Sequence, residues 1–164
     1  MDVNKPKLAF NLKTFIALYR GFVAFFGMFV NGLIGWVLLK ITFGRSTDFN
    51  YRFVSSFFCR LILRLLGMRV TFPKRDDFPQ KKMLYVFNHN SYLDIFIIPA
   101  MRIPQCRYII SEITKSILPL YLSNLANGAI FIPHPKKEEK RKAFFLNTAK
   151  RLQLDRYSLF ASPE

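Results

Sequence analysis

One stretch of the chain sets the first limit on how it can fold. Gly21 to Leu39 is an apolar run of 19 residues in which Asn31 is the only strongly polar member. As a helix this run spans about 28 Å, close to the hydrocarbon thickness of a bilayer, about 30 Å. The run predicts a helix that crosses a membrane or dips into one leaflet; the alternative is a buried core helix, since its glycines permit close packing in either setting.

The flanks of this run leave its orientation open, because basic residues stand on both sides of it: Lys5, Lys7, Lys13 and Arg20 before it, and Lys40, Arg45, Arg52 and Arg60 after it. The positive-inside rule requires an asymmetry, and here there is none. The run also begins late and lacks a small-residue cleavage site, which argues against a cleavable signal. We therefore predict a membrane-associated helical region over residues 1–48 and a separate domain over residues 49–164.

Composition favours a lipid surface as the partner of this chain. Hydrophobic residues make up 51% of it, and 25 basic residues against 10 acidic ones give a net charge of +15. Such a chain suits an anionic membrane. Nucleic acid is the rival explanation for the charge, but the sequence has no zinc-finger spacing and no RNA-recognition signature, so no nucleic-acid partner is predicted. Cys59 and Cys106 are too few for a disulfide framework or a metal site and are predicted to be core residues.

The segment from Tyr51 to Leu66 predicts an amphipathic helix with Gly67 as its C-cap. Apolar residues recur every four positions in two rows, and a third row is basic: Phe53, Phe57, Leu61 and Leu65; Val54, Phe58, Ile62 and Leu66; and Arg52, Ser56, Arg60 and Arg64. Two interpretations remain open. The helix lies at the headgroup boundary of a membrane, or it packs its apolar face on a sheet and solvates its arginines.

Beyond Gly67 the pattern alternates between strands and helices, which predicts an α/β fold. Predicted strands are Met68–Phe72, a strand ending at Phe87, Arg107–Ile110, Ala129–Ile132 and Tyr157–Ala161. Predicted helices run from Tyr92 to about Met101, from Ile113 to Leu122 with Pro119 bending or ending it, and from Lys137 to Gln153.

The segment Asn88-His89-Asn90-Ser91-Tyr92-Leu93-Asp94 stands at a predicted strand-to-helix switch. If His89 lies on the turn and Asp94 in the first helical turn, the carboxylate can orient the imidazole and leave its other nitrogen as a base. The alternative is structural, because Ser91 and Asp94 also have the spacing of a capping box.

This segment resembles the first signature of the glycerolipid acyltransferases, the lysophosphatidic acid acyltransferase family, in which His and Asp are separated by four residues. Two further family motifs have partial counterparts. Gly128-Ala129-Ile130-Phe131-Ile132-Pro133-His134 matches the frame of the second, with Pro133 and His134 in place of Asp and Arg. Leu159-Phe160-Ala161-Ser162-Pro163-Glu164 matches the start of the third. The resemblance, from about Arg60 onward, implies a mixed sheet flanked by helices.

The resemblance also implies a function. Such enzymes transfer a fatty acyl group from coenzyme A or acyl carrier protein to the hydroxyl of a lysophospholipid, as a 1-acylglycerol-3-phosphate acyltransferase does, without a metal, a cofactor or an acyl-enzyme intermediate. His89 is the expected base and Asp94 its partner, while Ser91, His134 and Glu164 are the expected substrate-binding residues.

His134 stands where the family uses a phosphate-binding Arg, so phosphate recognition is expected to involve other cations, such as Lys136 or Lys137, or an acceptor without a terminal phosphate. The alternative for His134 is a turn residue between two prolines.

Family members continue past the third motif, so we expect the acyltransferase domain to be incomplete at its C-terminus and its last strand, Tyr157–Ala161, to be left with an unpaired edge or with unsupported apolar side chains. The protein is expected in a membrane, with its catalytic domain on the cytoplasmic side. Two other functional classes stay open: a catalytically inactive acyltransferase-like membrane protein, and a basic protein that binds anionic surfaces without chemistry.

Overall fold

A computed structural model of the chain describes residues 5–79, 81–88, 91–154 and 157–162. Its helices and strands are α1 (Lys5–Ile41), α2 (Thr47–Phe49), a π-helical segment (Asn50–Ser55), α3 (Ser56–Leu65), β1 (Leu84–Val86), α4 (Asp94–Ala100), β2 (Cys106–Ser111), α5 (Leu118–Ala126), β3 (Ile130–Ile132), α6 (Glu138–Leu154) and β4 (Ser158–Ala161). Short 3₁₀ turns cover Arg75–Asp77 and Glu112–Ser116. The predicted α/β class, with helices around a sheet and an apolar N-terminal helix, is confirmed.

The described strands form one sheet in the order β1-β4-β2-β3, and every neighbouring pair is parallel. The last strand, β4, therefore has a partner strand on each side, and the predicted unpaired edge is wrong. Parallel neighbours need a crossover connection, and here α6 returns the chain to the middle of the sheet. The ring of Phe160 on β4, which is 6% exposed, packs against Tyr85 and Phe87 there.

Within the described residues, one helix is long and apolar enough to cross a membrane, over Leu12–Ile41, with a mean hydropathy of 2.1. It contains the predicted Gly21–Leu39 run and extends beyond it. Much of its surface remains uncovered, since Phe15 is 68% exposed and Phe22 is 64% exposed. Such an apolar surface suits lipid, whereas the helix of a soluble core would hide it.

The opposite side of α1 packs closely on the rest of the protein through glycines. A Cβ on Gly32 would lie 2.8 Å from the Cβ of Leu122, a Cβ on Gly35 would lie 2.7 Å from that of Ala126, and a Cβ on Gly27 would meet Ile62. Close packing at these glycines is confirmed, whereas Gly21 has nothing within 4 Å. Small residues let two helix backbones approach in this way.

Asn31, the polar residue of the apolar run, is 1% exposed and anchors α1. Its Nδ2 donates to Ser123 Oγ on α5 at 2.8 Å. The Ser55 hydroxyl lies 3.1 Å from Asn31 Oδ1 and 2.8 Å from Asn127 Oδ1, and it has one proton to donate between them. Asn127 Nδ2 donates to the Tyr108 hydroxyl at 2.9 Å, which carries the network to β2. Buried polar groups joined in this way fix how the elements pack.

The amphipathic helix predicted from Tyr51 combines the π-helical segment with α3. Gly67, with a φ of 79°, ends it as predicted: its N–H donates to Arg64 O, and the Met68 N–H donates to Leu63 O, which is a Schellman cap. Ile62 is buried, but the neighbouring row Phe53, Phe57, Leu61 and Leu65 is 38–58% exposed. The helix therefore packs one apolar row inward and leaves the other open.

Two of the predicted elements are wrong. Met68–Phe72 is not a strand among the described residues; Met68, Val70 and Phe72 instead pack on the cluster formed by α1, α3 and α4, which fixes the segment without strand pairing. The predicted Ile113–Leu122 helix is divided between a 3₁₀ turn and α5. Pro119 stands in the first turn of α5, where its missing N–H costs no helical bond, so it begins a helix and does not end one.

Candidate functional site

The carboxyl ends of the parallel strands meet at one edge of the sheet and surround a cavity of about 430 Å³. The three motif segments reach this edge at different strands: Phe87 follows β1, Pro133 follows β3 and Ser162 follows β4, and all three line the cavity. Crevices at the carboxyl ends of parallel strands are the usual ligand sites of open α/β sheets. The fold therefore brings together motifs that the sequence spaces far apart.

Apolar side chains make up most of the cavity wall, which α4, α5 and α1 complete. They include Met28 from α1, Ile95 and Ile98 from α4, Ile110 from β2, Ile113, Leu120 from α5 and Ile132 from β3. Eight polar residues interrupt this wall, among them Asp94, Tyr108, Ser123 and Arg141. Its size and chemistry are those of a site for a mostly apolar ligand with a polar end.

Asp94 is half-buried at the start of α4 and lines the cavity. Its Oδ2 accepts the Ser91 N–H at 3.2 Å, and Ser91 Oγ accepts the Leu93 N–H at 3.2 Å. These two bonds form a reciprocal turn that leads into α4, whose N-cap position, Leu93, has no side-chain cap of its own. A carboxylate accepts several hydrogen bonds at once, and the capping bond is compatible with a second one from an imidazole.

Two of the predicted site residues, His89 and Glu164, lie outside the described residues. In the sequence each is two positions from a residue that lines the cavity, Phe87 and Ser162 respectively. Their predicted roles stay predictions. Ser91 is exposed and is not among the cavity-lining residues, and its described bonds are those of the turn that leads into α4.

His134 lies in the turn after β3 and is not among the cavity-lining residues, although its neighbours Pro133 and Pro135 are. Its Nδ1 accepts the Lys136 N–H at 3.2 Å, and its own N–H donates to Glu112 Oε1 at 2.9 Å. Those contacts are the ones expected of a turn residue. Binding of substrate phosphate by His134 stays a prediction.

Glu112 fastens the end of β2 to this turn. Besides the His134 N–H, its Oε1 accepts from Lys137 Nζ at 2.7 Å. The bonds from Lys137 and from the His134 N–H hold the pKa of Glu112 below its ordinary value. Because the ammonium of Lys137 already has a carboxylate partner, it is a weaker candidate for a substrate phosphate.

Arg141 is the functional candidate that sequence reasoning missed. It lies in the first half of α6, is half-buried and lines the cavity, with its guanidinium carbon 5.7 Å from the centre of the Phe145 ring. A guanidinium binds phosphate or carboxylate through two parallel hydrogen bonds. The sequence gives no signal for it, since Arg141 is one of several basic residues in a polar helix.

The polar network around Asn31 of α1 includes two residues of the cavity wall. Ser123, which accepts from Asn31, and Tyr108, which accepts from Asn127, both line the cavity. Burial raises the pKa of Tyr108, so its hydroxyl stays protonated at neutral pH. Among the described residues no three His, Cys, Asp or Glu side chains cluster as metal ligands.

Comparison with known proteins places this arrangement in a family. Neither the comparison with curated proteins nor the one with solved structures found a match. A model of the Acyltransferase family matches residues 69–164, which is more than half of the chain and includes the motif segments around the cavity. The chain belongs to the acyltransferase family, of the lysophosphatidic acid acyltransferase type.

Proposed function

We propose that the protein transfers a fatty acyl group from coenzyme A or acyl carrier protein to the hydroxyl of a lysophospholipid, in phospholipid synthesis or remodelling. The observation that carries the proposal is the cavity at the carboxyl edge of the sheet, where Asp94 and the ends of the motif strands face an apolar wall that includes Met28 of α1. A lysophospholipid and an acyl chain both need such a wall beside a polar reaction centre.

The proposed chemistry is direct acyl transfer. His89 takes the proton of the acceptor hydroxyl while that oxygen attacks the thioester carbonyl. Asp94 accepts a hydrogen bond from the other imidazole nitrogen, fixes the tautomer and stabilises the imidazolium. As the tetrahedral intermediate collapses, the carbon–sulfur bond breaks, the ester forms, and the proton passes to the leaving thiolate. Each turnover releases one thiol for each ester made, and no cofactor takes part.

Arg141 is the proposed ligand for the acceptor phosphate. The family uses an Arg where this chain has His134, and the His134 imidazole is bonded within its own turn. Arg141 reaches the same cavity from α6 with a permanent charge and a bidentate geometry. The acceptor is therefore a phosphate-bearing lysophospholipid, with its acyl chain along the apolar wall toward α1.

The membrane geometry of the proposal follows from the donor. The exposed surface of α1 holds the protein in the bilayer, and Met28 brings that helix to the cavity wall. Coenzyme A and acyl carrier protein are cytoplasmic carriers, so the catalytic domain faces the cytoplasm in this proposal.

The test is a product assay on the complete natural protein in detergent micelles, with an acyl-coenzyme A and lysophosphatidate. We expect diacyl product by mass spectrometry, with equal amounts of thiol released and no thiol release without acceptor. Equal thiol release with and without the acceptor would indicate a hydrolase. No turnover with any lysophospholipid would favour the alternative of a catalytically inactive acyltransferase-like membrane protein.

A second arm tests Arg141. Arg141→Gln should raise the KM for lysophosphatidate at least tenfold and leave the KM for a phosphate-free acceptor such as monoacylglycerol unchanged. Lys140→Gln, which removes the neighbouring charge outside the cavity lining, is the matched control and should change neither value. An equal loss in both variants would contradict the role of Arg141.

A further inference from the structure

A second, larger cavity of about 800 Å³ lies between α3 and the segment Met68–Lys74, and six basic side chains stand among the apolar residues of its wall. The six come from three parts of the chain: Arg52, Arg60 and Arg64 from the helix, Arg69 and Lys74 from the segment after it, and Arg102 from just beyond α4. Pro99 near the end of α4 still lines the acyl-transfer cavity, whereas Met101 and Arg102 just beyond that helix line the basic one, so the two cavities have separate walls but are neighbours.

Among the described residues the cavity wall holds no carboxylate; Asp77 lies beside it and accepts the Lys74 backbone N–H at 2.7 Å. The basic residues that form ion pairs within the described part of the chain are Arg107, Lys137 and Lys142, and none of these three lines the cavity. Burial, together with the positive charges of Arg102 and Arg64, lowers the pKa of Arg60 below its ordinary value. Six like charges around one cavity whose described wall holds no carboxylate create a site that favours an anion.

Two of the arginines are held in place by the protein. Arg60 Nε donates to Ala100 O at 3.0 Å, and its guanidinium lies 4.7 Å from the centre of the Phe72 ring. Arg102 Nε donates to Ser56 Oγ at 2.7 Å, and its backbone has a φ of 59°. The left-handed conformation is uncommon for a non-glycine residue, and the bond to Ser56 holds the Arg102 side chain in place. A guanidinium fixed at Nε has further N–H donors on its Nη atoms.

The surface beside the cavity identifies the kind of anion. The exposed apolar row, which runs from Phe53 in the π-helical segment to Leu65 in α3, lies next to the basic row. Phe53, which is 49% exposed, also lines the cavity. Phe57 and Leu65 continue the row at 58% and 48% exposure. A helix with an open apolar row next to a basic one lies in the interface of an anionic membrane. A ligand that matches both the basic cavity and the exposed apolar row is amphiphilic and carries a phosphate in its headgroup.

We propose that the basic cavity binds the phosphate-bearing headgroup of an anionic membrane phospholipid, at a site separate from the acyl-transfer cavity. The apolar row of α3 then lies among the acyl chains around that headgroup, and α1 continues into the bilayer. The site ties the catalytic domain to an anionic lipid surface whatever its acyl acceptor is.

The test is equilibrium binding of a short-chain phosphatidylglycerol to the full chain in neutral detergent, followed by native mass spectrometry. Phosphatidylglycerol is chosen because it is neither the lysophosphatidate used as acceptor in the activity assay nor the diacyl product of that acceptor. Arg64→Gln/Arg69→Gln removes two cations that make no described structural bond, so the fold is retained, and Lys81→Gln/Lys140→Gln removes the same charge outside the cavity lining.

The cavity double variant should bind phosphatidylglycerol about twentyfold or more weakly than wild type, since each basic residue at an anionic lipid surface contributes about fivefold. The control variant should bind it normally, and phosphatidylcholine should bind wild type weakly. Equal losses in both double variants would show diffuse attraction and overturn the proposal.

Two further outcomes would also overturn it. If inorganic pyrophosphate displaced phosphatidylglycerol at equal or lower concentration, the cavity would take a soluble phosphate ligand. If Arg64→Gln/Arg69→Gln raised the KM for soluble acyl-coenzyme A tenfold, the cavity would serve the acyl donor. With a lipid site, neither occurs, and kcat on micellar substrates is unchanged.

Discussion

Alanine at Gly32 should loosen the packing of α1 on α5, and the same change at Gly21 should not. The new Cβ at Gly32 would lie 2.8 Å from Leu122 Cβ and 2.8 Å from Ser123 N, whereas favourable carbon contacts are about 3.5–4.0 Å. Both neighbours belong to the backbone or its first side-chain atom, so no flexible group can move aside. The two helices must therefore separate by roughly 1 Å at this contact.

The size of the effect follows from a comparison of the two variants. Overpacking a close contact costs about 1–3 kcal/mol. Glycine to alanine inside a helix also gains about 1 kcal/mol of helix propensity, and this gain is common to both sites. Since Gly21 has no neighbour within 4 Å, the difference between the two variants isolates the overpacking. We expect Gly32→Ala to be less stable than Gly21→Ala by about 1–3 kcal/mol.

The assay is thermal unfolding in one mild detergent, followed by circular dichroism. For a domain of this size 1 kcal/mol corresponds to about 2–4 °C, so Gly32→Ala should melt about 2–12 °C below Gly21→Ala. Equal melting temperatures would refute the close approach of α1 and α5. A lower melting temperature for Gly21→Ala would show that α1 packs on the protein through the face that holds Gly21 and not through the face that holds Gly32.

Three further predictions concern groups outside the acyl-transfer chemistry. Burial raises the pKa of Cys59 and of Cys106 to about 12, so an alkylating reagent at pH 8 should label neither thiol in the native protein and both after unfolding; rapid native labelling would contradict their burial. The pKa of Glu112 is lowered in the folded protein, so wild type should melt above Glu112→Gln by its full margin at pH values above the ordinary pKa of about 4.3. That margin should disappear as the pH falls through the lower folded-state pKa. A margin that grew in acid would contradict the lowered pKa. The protein should stay in the membrane fraction after a high-salt wash, because apolar burial of α1 is not screened by ions, and release by salt alone would contradict this.

Local patterns of the sequence predicted most of the secondary structure. Apolar runs between turn residues marked the strands around Leu84, Ile109, Phe131 and Phe160, and the glycine after a periodic helix marked its Schellman cap. Strand order depends on contacts between distant parts of the chain. The sequence therefore did not show that β4 lies between β1 and β2, nor that Met68–Phe72 packs on helices and forms no strand.

The candidate site could be predicted only in part, because some of its residues come together only through contacts between distant parts of the chain. Short motifs located Asp94, because its spacing from His89 is local. Arg141 and the six-residue basic cavity depend on folding, which brings α6 to the carboxyl edge of the sheet and Arg102 to the arginines of α3. Asn31 was visible as a polar interruption, but its partners Ser55 and Ser123 are 24 and 92 residues away.

The central claim is base-catalysed acyl transfer by His89 oriented by Asp94, and kcat/KM of three variants of the complete protein tests it most directly. His89→Ala should lower kcat/KM by about 10²–10⁴-fold, as expected for loss of a general base. Asp94→Asn keeps an oxygen to accept the Ser91 N–H, so it should fold normally and still be severely impaired. Asp76→Asn, an exposed control outside the cavity lining, should match wild type. Near-normal kcat/KM in a folded His89→Ala or Asp94→Asn protein would contradict the account.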